Sequence, residues 1–330
     1  MRTEFDVRYF FLLCSSKLLL MRLLLASCSG GLVGLRRLGG LPRVAGSSLL
    51  GMARVLSIEN VDQKTLEEVL QETSAALRGG GVVAIPTDTI YGVASLVSSN
   101  EGIERIYEMK GRLRDKPLAI CVSEVEQVYR WAKVTVPSSL LSSLLPGPVT
   151  TVFERGGDLN PALNPGLPLV GLRIPDSSFF RCLVEQCGCP LALTSANLSH
   201  SSSTLSVQEF RELWSSLDVV VDGGVISHGG RGGEEEASRL GSTVVDLSHT
   251  GSFSIIRPGM CVGTFMRTFV HSYNTKQLQC NLVTNTVKAK YLLNNTNSTI
   301  TIPFNMNILM HYQQTVKLLR DEYHLKEIVI

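Results

Sequence analysis

The chain has 330 residues, 44% of them hydrophobic, with 31 lysines and arginines against 29 aspartates and glutamates. This size and composition indicate a globular protein with a sizeable buried core. The charges are unevenly spread, because residues 57–258 hold 16 basic and 24 acidic side chains. That acidic balance argues against the broad basic surface on which non-specific nucleic-acid binding depends.

Residues 1–56 carry eight basic and two acidic side chains, with no acid after Asp6. An arginine-rich, acid-poor start of this kind predicts a targeting segment of the mitochondrial type, with a secretory signal as the competing interpretation. Its apolar runs, Tyr9–Leu13 and Leu18–Leu25, are too short and too interrupted for a membrane span. We therefore expect no integral membrane span, and a location in the cytoplasm and the mitochondrion.

The eight cysteines show neither the paired spacing of a zinc site nor the ladder of a secreted disulfide framework. Cys187 and Cys189 are the closest pair. Free thiols are typical of a reducing compartment, so we expect structural cysteines and no protein metal site.

The first predicted elements lead into a dense polar stretch. Helical spacing of apolar residues predicts a helix over 62–77, and the run VVAIP at 82–86 predicts a buried strand. After the loop TDTIYG, a helix capped by Asn100 runs to Lys110. Four cationic residues then follow within seven positions: Lys110, Arg112, Arg114 and Lys116.

Helices and strands continue to alternate up to residue 258. Ser123 and Glu126 predict a capping box that opens a helix with Tyr129 facing inward. The remaining predicted strands are LAICV, VTTVF, LVGLRIP, PLALTS, DVVVD, STVVDL and FSIIRPG, and the remaining predicted helices begin near Ser138, Asp176 and Ser206. Residues 223–241 are rich in glycine and predict a mobile loop.

This alternation predicts the fold class and the domains. We expect an α/β protein with a single domain over 57–259, in which helices flank a twisted, open, mixed β-sheet. Residues 260–330 become rich in asparagine and threonine and nearly lose glycine, with one plausible helix at Gln313–Glu327. They predict a divergent, poorly packed extension, or alternatively a small accessory domain.

Polar residues gather where the predicted strands end, and strand ends of open α/β sheets converge on a ligand cleft. They are Thr87, Thr89, Arg173, Ser195, Asn197, Ser242, Thr243 and Arg257. Hydroxyl and amide groups can bind a small zwitterion and a sugar, while Lys110, Arg112 and Lys116 can neutralise phosphates. Each motif alone is more typical of an ordinary turn or surface ion pair, so the interpretation depends on their common order.

That order resembles the YrdC-like family, the L-threonylcarbamoyladenylate synthases. The matching stretches are GGVVAIPTDTIYG, MKGRLRDKPLAI, LLPGPVT, VGLRIPD, PLALTSANLS, VVDGG, GSTVVDL and IIRPG. They cover the middle of the chain without a break in order and neither terminus.

The resemblance implies an adenylyl transfer. L-threonine, bicarbonate and ATP would give threonylcarbamoyl-AMP and diphosphate, with Mg²⁺ accompanying ATP. A tRNA threonylcarbamoyl transferase complex would pass the threonylcarbamoyl group to the adenosine beside the anticodon. The resemblance also allows contact between this chain and tRNA.

The resemblance also implies roles for particular residues. Thr87, Arg173 and Ser195 would bind threonine, with Arg173 at its carboxylate. ATP would contact Lys110, Arg112, Lys116, Asn197, Ser242 and Arg257, and Lys110, Arg112 and Thr243 would lie at the reacting groups. The family's hydroxyl after the SAN motif is ambiguous here, because Ser202, Ser203, Thr204 and Ser206 are all available.

Two alternatives remain open from sequence. A concave basic face could bind RNA without catalysis, which predicts salt-dependent RNA binding and no diphosphate release. The chain could also be a related carbamoyl transferase, because hydrogenase-maturation proteins contain a similar domain, although the zinc-finger and acylphosphatase segments of those proteins are missing from this sequence.

Overall fold

The computed structural model describes residues 53–111, 116–198, 201–227, 239–250, 253–265 and 268, and the backbone of 278–283, 286–293 and 296–303. The predictions for residues 1–52, for Arg112, for most of the glycine-rich loop and for the helix Gln313–Glu327 therefore lie outside the described residues.

Strands and helices alternate along most of the described chain. The strands are β1 Arg54–Ser57, β2 Val83–Pro86, β3 Tyr91–Leu96, β4 Ala119–Cys121, β5 Ala132–Lys133, β6 Val149–Arg155, β7 Leu169–Arg173, β8 Leu191–Ser195, β9 Val219–Asp222, β10 Thr243–Asp246, β11 Phe253–Arg257, β12 Leu278–Val283, β13 Thr286–Leu293 and β14 Thr296–Pro303. The helices are α1 Gln63–Arg78, α2 Asn100–Met109, α3 Val125–Trp131, α4 Ser138–Leu144, α5 Ser178–Cys187 and a 3₁₀ segment at Val207–Ser216.

The strands form one mixed sheet. Their order is β1-β9-β2-β3-β8-β4-β7-β6-β10-β11-β14-β13-β12, with β5 paired to β6. Parallel pairs such as β4 with β7 and β6 with β10 stand beside antiparallel pairs such as β3 with β8. The predicted fold class, a mixed α/β protein built on a mixed sheet with helices, is confirmed.

The centre of the sheet is buried on both faces. Every residue of β2 and β3 is buried, which fits their nearly continuous small and apolar sequences. The helices cover this sheet with their apolar sides, for example Ile103 and Ile106 of α2 and Phe179 and Phe180 of α5. This rigid sheet fixes the strand ends on which the candidate site is built.

Two of the predicted helix starts are wrong in detail. Ser99, not Asn100, caps α2, because its side chain accepts from the Gly102 amide. Ser123 does not open a capping box; its hydroxyl accepts from the Gln127 side-chain amide, and α3 starts at Val125 without a side-chain cap. Tyr129 is 48% exposed instead of facing inward.

The segment after residue 259 contains structure that the sequence pattern did not predict. β14 pairs in parallel with β11, and β13 and β12 follow in antiparallel register. Phe265 is fully buried and stacks edge-on against Phe253 of β11, with ring centroids 5.2 Å apart. The division of the chain at 57 and 260 stays a prediction.

Candidate active site

A cavity of about 610 Å³ opens where several strands of the sheet end. Its polar lining consists of the hydroxyl residues Thr87, Thr150, Thr194, Ser195 and Ser242, the phenol of Tyr91, and the cations Lys116, Arg173 and Arg257. No aspartate or glutamate appears among the described residues that line it. A cavity lined by hydroxyls and cations without acids suits an anionic ligand.

The structure brings six of the ten predicted site residues together. Those that line the cavity are Thr87, Lys116, Arg173, Ser195, Ser242 and Arg257. Lys110 and Asn197 lie behind the lining, Thr243 lies on another face of its strand, and Arg112 is outside the described residues. Distant strand ends therefore converge on one cavity as expected, but not every predicted site residue lines it.

Thr87 builds a tight turn between β2 and β3. Its hydroxyl donates to the Ile90 carbonyl at 2.7 Å and accepts from the amides of Thr89 and Ile90. A threonine that bonds its own backbone two and three residues on is a common way to fix a turn. The turn therefore holds Asp88 and Thr89 in place at the end of the sheet.

Arg173, at the end of β7, is held by that turn. Its Nη2 donates to Asp88 Oδ1 at 2.5 Å and to Thr89 Oγ1 at 2.9 Å. Both side chains of the ion pair are nearly buried, with 6% of Arg173 and 11% of Asp88 exposed. Arg173 therefore enters the cavity wall as half of a buried, charge-balanced pair.

Two atoms of this pair have no hydrogen-bond partner in the described part of the chain. They are Nε of Arg173 and Oδ2 of Asp88, and both are buried. Buried polar atoms without partners are uncommon, so a polar ligand or an ordered water is expected to complete this network. Asp88 was not among the site residues that the sequence predicted.

Lys110 is buried directly behind the cavity wall. It follows α2 as its C-cap residue and is only 4% exposed. Its Nζ donates to the Ser195 carbonyl at 2.5 Å and lies 3.4 Å from the Ser195 hydroxyl. Lys110 therefore lies against Ser195, which itself lines the cavity.

Asn197 lies in the loop after β8. Its amide group donates to the carbonyls of Leu198 and Ser201, whereas its Oδ1 is buried without a partner among the described residues. Of the four hydroxyl residues that follow, Thr204 is buried and donates to the Ala196 carbonyl. None of these four lies among the described lining residues.

Thr243 is not brought to the cavity. Side chains alternate along a strand, and it is the neighbouring Ser242 and Val244 that line the cavity. The Thr243 hydroxyl is fully buried and accepts from the Cys261 amide at 3.3 Å. The role of Thr243 at the reacting groups stays a prediction, and its side chain packs the strand against the following segment.

Tyr91 closes one side of the cavity as a structural anchor. Its hydroxyl donates to the Gly224 carbonyl at 2.7 Å and accepts from the Gly223 amide at 3.0 Å. Burial raises the pKa of Tyr91 to about 12. A phenol that stays protonated throughout the neutral range holds this wall and does not exchange protons with a substrate.

The sequence analysis missed Asp88 and Thr150 as site residues. Asp88 stands inside the quoted TDT motif, and Thr150 ends the quoted PGPVT motif. The available signal was a polar side chain beside the end of a buried strand, after β2 for Asp88 and at the start of β6 for Thr150. In the described part of the chain, five cysteines are free thiols, and no group of three or more His, Cys, Asp or Glu residues could hold a metal ion.

A family model provides the decisive comparison. The Sua5/YciO/YrdC model, which is described as "Telomere recombination", matches residues 75–259. This range is more than half of the chain and contains every residue of the cavity lining. The chain belongs to the Sua5/YciO/YrdC family.

Members of this family with close sequence similarity are named threonylcarbamoyl-AMP synthases. The Bos taurus protein is 54% identical over 192 residues, which span 58% of this chain and 68% of that protein. The Homo sapiens protein is 53% identical over 192 residues, 58% of this chain and 67% of that protein.

Among solved structures, Pyrococcus abyssi Sua5 in complex with L-threonine is 28% identical, with a TM-score of 0.54, over 63% of this chain and 57% of that one.

In the described residues, no helix is both long enough and apolar enough to cross a membrane.

Proposed function

We propose that this chain synthesises L-threonylcarbamoyladenylate and diphosphate from L-threonine, bicarbonate and ATP. The observation that carries the proposal is the 54% identity to a protein named threonylcarbamoyl-AMP synthase, within a family whose matched range contains the whole cavity lining. The cavity supports it, because hydroxyls and cations without acids suit a nucleotide triphosphate and an amino acid. The chain is thus a nucleotidyltransferase of the pathway that modifies tRNA beside the anticodon.

The Arg173 end of the cavity suits the amino acid. The ion pair with Asp88 leaves this end close to neutral, and Nε of Arg173 is a buried donor without a partner in the described chain. A zwitterion brings a carboxylate for such a donor without adding net charge. Thr87, Ser195 and Arg173 are accordingly the proposed threonine-binding residues, and the threonine complex of Pyrococcus abyssi Sua5 agrees with this choice of ligand.

The remaining cations of the site suit the phosphates. Lys116 and Arg257 line the cavity, and Arg257 donates to both the carbonyl and the hydroxyl of Ser242. Lys110 contacts Ser195 from behind the cavity lining. Together with Arg112 and Asn197, these are the proposed ATP-binding residues, and Lys110 and Arg112 are proposed to stabilise the reacting groups.

The chemistry needs no activated serine, cysteine or histidine. The threonine amine first combines with bicarbonate, with loss of one water, to give the carbamate N-carboxythreonine. A carbamate oxygen then forms a bond to the α-phosphorus, the bond from that phosphorus to the bridging oxygen breaks, and diphosphate leaves with the electron pair. The barrier lies in bringing two anions together and in the charge that builds on diphosphate. Fixed cations and positioning lower that barrier.

We propose that Mg²⁺ enters with ATP as part of the substrate. The described cavity lining offers no carboxylate to a divalent cation. Mg²⁺ keeps several waters and is commonly bound through substrate phosphates, which fits a site without a protein cage. The ion would reduce the negative charge of the triphosphate, while the lysines and arginines of the chain orient it.

The proposed reaction is tested by incubating the full chain with labelled bicarbonate, L-threonine and ATP-Mg, followed by rapid chromatography of the labile product. We expect a labelled adenylate and an equal amount of diphosphate. Omission of threonine should abolish diphosphate release. Release that continues without threonine, or label that never joins the nucleotide, would contradict the proposal.

Measurements of RNA binding and of diphosphate release on the same protein distinguish the synthase from the alternative, an RNA-binding module. It requires tight, salt-dependent RNA binding without diphosphate release.

We propose that the product passes to a tRNA threonylcarbamoyl transferase complex. Transfer of the label from the adenylate to tRNA in the presence of that complex, and not with this chain alone, would support this order.

We also propose that the protein works in the cytoplasm and the mitochondrion. The support is the arginine-rich, acid-poor composition of residues 1–56. Fluorescent fusions of the full chain and of a chain starting at residue 57 should differ, with mitochondrial signal only in the first. Equal distribution of the two fusions would remove the support for a targeting segment.

A further inference from the structure

Thr150 lines the cavity and belongs to neither the proposed threonine-binding set nor the proposed ATP-binding set. It lies on β6, is 5% exposed, and its hydroxyl is 2.8 Å from the hydroxyl of Ser242, the residue before β10. β6 and β10 are parallel neighbours, with Thr150 opposite Val244. The contact therefore joins two strands at the point where both reach the cavity.

The orientation of Thr150 is fixed by its methyl group. A Cβ atom placed on Gly171 of the neighbouring strand β7 would lie 3.0 Å from Thr150 Cγ2. The methyl thus occupies the space above Gly171, and the hydroxyl points to Ser242. Because a β-branched side chain is stiff at χ1, this packing holds the hydroxyl in one direction.

Hydrogen bonding continues from Thr150 through Ser242 to a cation. Arg257 Nη2 donates to the Ser242 carbonyl at 2.8 Å and approaches the Ser242 hydroxyl at 3.3 Å. A cation that donates to a hydroxyl oxygen makes that hydroxyl a stronger donor, because neighbouring hydrogen bonds polarise one another. Either hydroxyl can donate in the contact between Ser242 and Thr150, and this polarisation favours Ser242 as the donor, which gives the order Arg257 to Ser242 to Thr150.

This order leaves one hydrogen for a ligand. When Thr150 accepts from Ser242, its own O–H has no other partner in the described part of the chain, and the residue lines the cavity. A hydroxyl with a hydrogen to donate, polarised through Ser242 by a guanidinium, suits an anionic oxygen. Ser242 and Arg257, to which this hydroxyl is linked, are proposed ATP-binding residues, so the phosphates of ATP are the anion expected beside it.

We infer that Thr150 is a substrate-binding residue that donates a hydrogen bond to a phosphate oxygen of ATP. The inference rests on the proposed function, which supplies ATP as the ligand. Thr150, Ser242 and Arg257 then act as one unit. This adds a direct ligand contact on β6, from the end of the PGPVT motif, to the predicted residues Ser242 and Arg257.

Four proteins test the inference: the unchanged chain, Thr150→Val, Thr150→Ser and Thr151→Val. Valine keeps the shape of threonine and removes the hydroxyl, and serine keeps the hydroxyl. Thr151 is the matched control, because it is the next residue, is fully buried, and directs its hydroxyl to the Leu172 carbonyl instead of the cavity. Diphosphate release gives kcat and the KM values for ATP and threonine.

We expect Thr150→Val to lower kcat/KM for ATP by about 10- to 100-fold, the range for a hydrogen bond to a charged group. The KM for threonine should change little. Thr150→Ser should keep most of the activity, and Thr151→Val should keep normal KM values. Combining Thr150→Val with Ser242→Ala should cost less than the product of the two single effects, because both residues act in one unit.

Several results would overturn the inference while leaving the proposed function intact. They are normal kinetics of Thr150→Val, a rise confined to the KM for threonine, or a loss in Thr150→Ser as large as in Thr150→Val, which would indicate packing. If the valine variant does not fold, Thr150→Ala supplies the hydroxyl-free protein for the same comparison. Absence of threonine-dependent diphosphate release in the unchanged chain would instead contradict the proposed function itself.

Discussion

The two arginines of the cavity have similar sequence surroundings and different environments. Arg173 ends β7 in LRIP, and Arg257 ends β11 in IIRP, so each follows apolar strand residues and has a proline within the next two positions. Arg173 is nearly buried and paired with Asp88, whereas Arg257 is exposed at the rim and donates to Ser242. The same local pattern therefore gives one arginine in a nearly buried ion pair and one exposed arginine bonded to a serine.

Under the proposed function, this difference assigns the two arginines to two unlike substrates. A zwitterion adds no net charge beside Arg173, which Asp88 already balances, and Arg257 and Lys116 are proposed to attract the triphosphate. The separation depends on Asp88, a residue from the turn between β2 and β3. The following changes test that separation.

Removal of Asp88 should have the largest effect. Asp88→Ala leaves a nearly buried guanidinium without its carboxylate, so we expect a loss of about 3–5 kcal/mol in the free energy of unfolding. Glu154→Ala is the matched control, because Lys133 and Glu154 are also 2.5 Å apart but 66% and 52% exposed. That change should cost less than about 1 kcal/mol. Equal losses in urea unfolding would show that the Asp88 pair behaves like a surface pair.

Removal of the Phe265 ring tests the support of β11, the strand that carries Arg257. Phe265 lies beyond the matched family range and packs on Phe253 of β11, the strand that carries Arg257. Because the ring is fully buried, Phe265→Ala should cost about 3–5 kcal/mol. A chain stopped at Gly259 should lose at least as much stability. Unchanged unfolding of either protein would show that nothing after Gly259 supports this strand.

A methyl group at Gly259 should disturb the Arg257 end alone. A Cβ there would lie 2.4 Å from backbone atoms of Gly241, Ser242 and Thr243. Because backbone cannot move aside easily, Gly259→Ala should cost about 1–3 kcal/mol and raise the KM for ATP more than the KM for threonine. Gly157→Ala is the control, since nothing lies within 4 Å of its added Cβ. Equal changes in both KM values would argue against separate ends.

The smallest expected effect concerns Tyr91, at the wall beside the Thr87 turn. Its folded pKa, raised by burial to about 12, exceeds the ordinary value of about 10. The stability that its protonated form contributes is fully present below pH 10 and is lost as pH rises through 12. The difference in unfolding free energy between the unchanged chain and Tyr91→Phe should shrink over that interval. A constant difference would mean that Tyr91 is not buried as described.

The sequence predicted much of the fold, because buried strands and amphipathic helices have local patterns. The runs at β2, β7 and β8 and the apolar faces of α2 and α5 are visible in single segments. The strand at Thr296–Pro303 was not predicted, because its polar composition resembles a loop and its pairing partner lies more than forty residues away.

The sequence predicted which strand ends form the site, but it did not predict which side chains contact each other there. Sequence order indicated that Thr87, Arg173, Ser195, Ser242 and Arg257 converge. It could not indicate that Asp88 neutralises Arg173, since the two are separated by 85 positions. Sequence order also could not indicate which of the adjacent hydroxyls of Ser242 and Thr243 faces the cavity, because the register of β10 decides this, and its pairing with β6 sets that register.

The claim that the two arginines serve different substrates is tested most directly by the KM values of Arg173→Lys and Arg257→Lys. Lysine keeps the charge in each case and removes the planar fork that binds carboxylates and phosphates. Arg173→Lys should raise the KM for threonine by about tenfold and leave the KM for ATP unchanged, and Arg257→Lys should do the reverse. Two variants that raise the same KM would contradict the account.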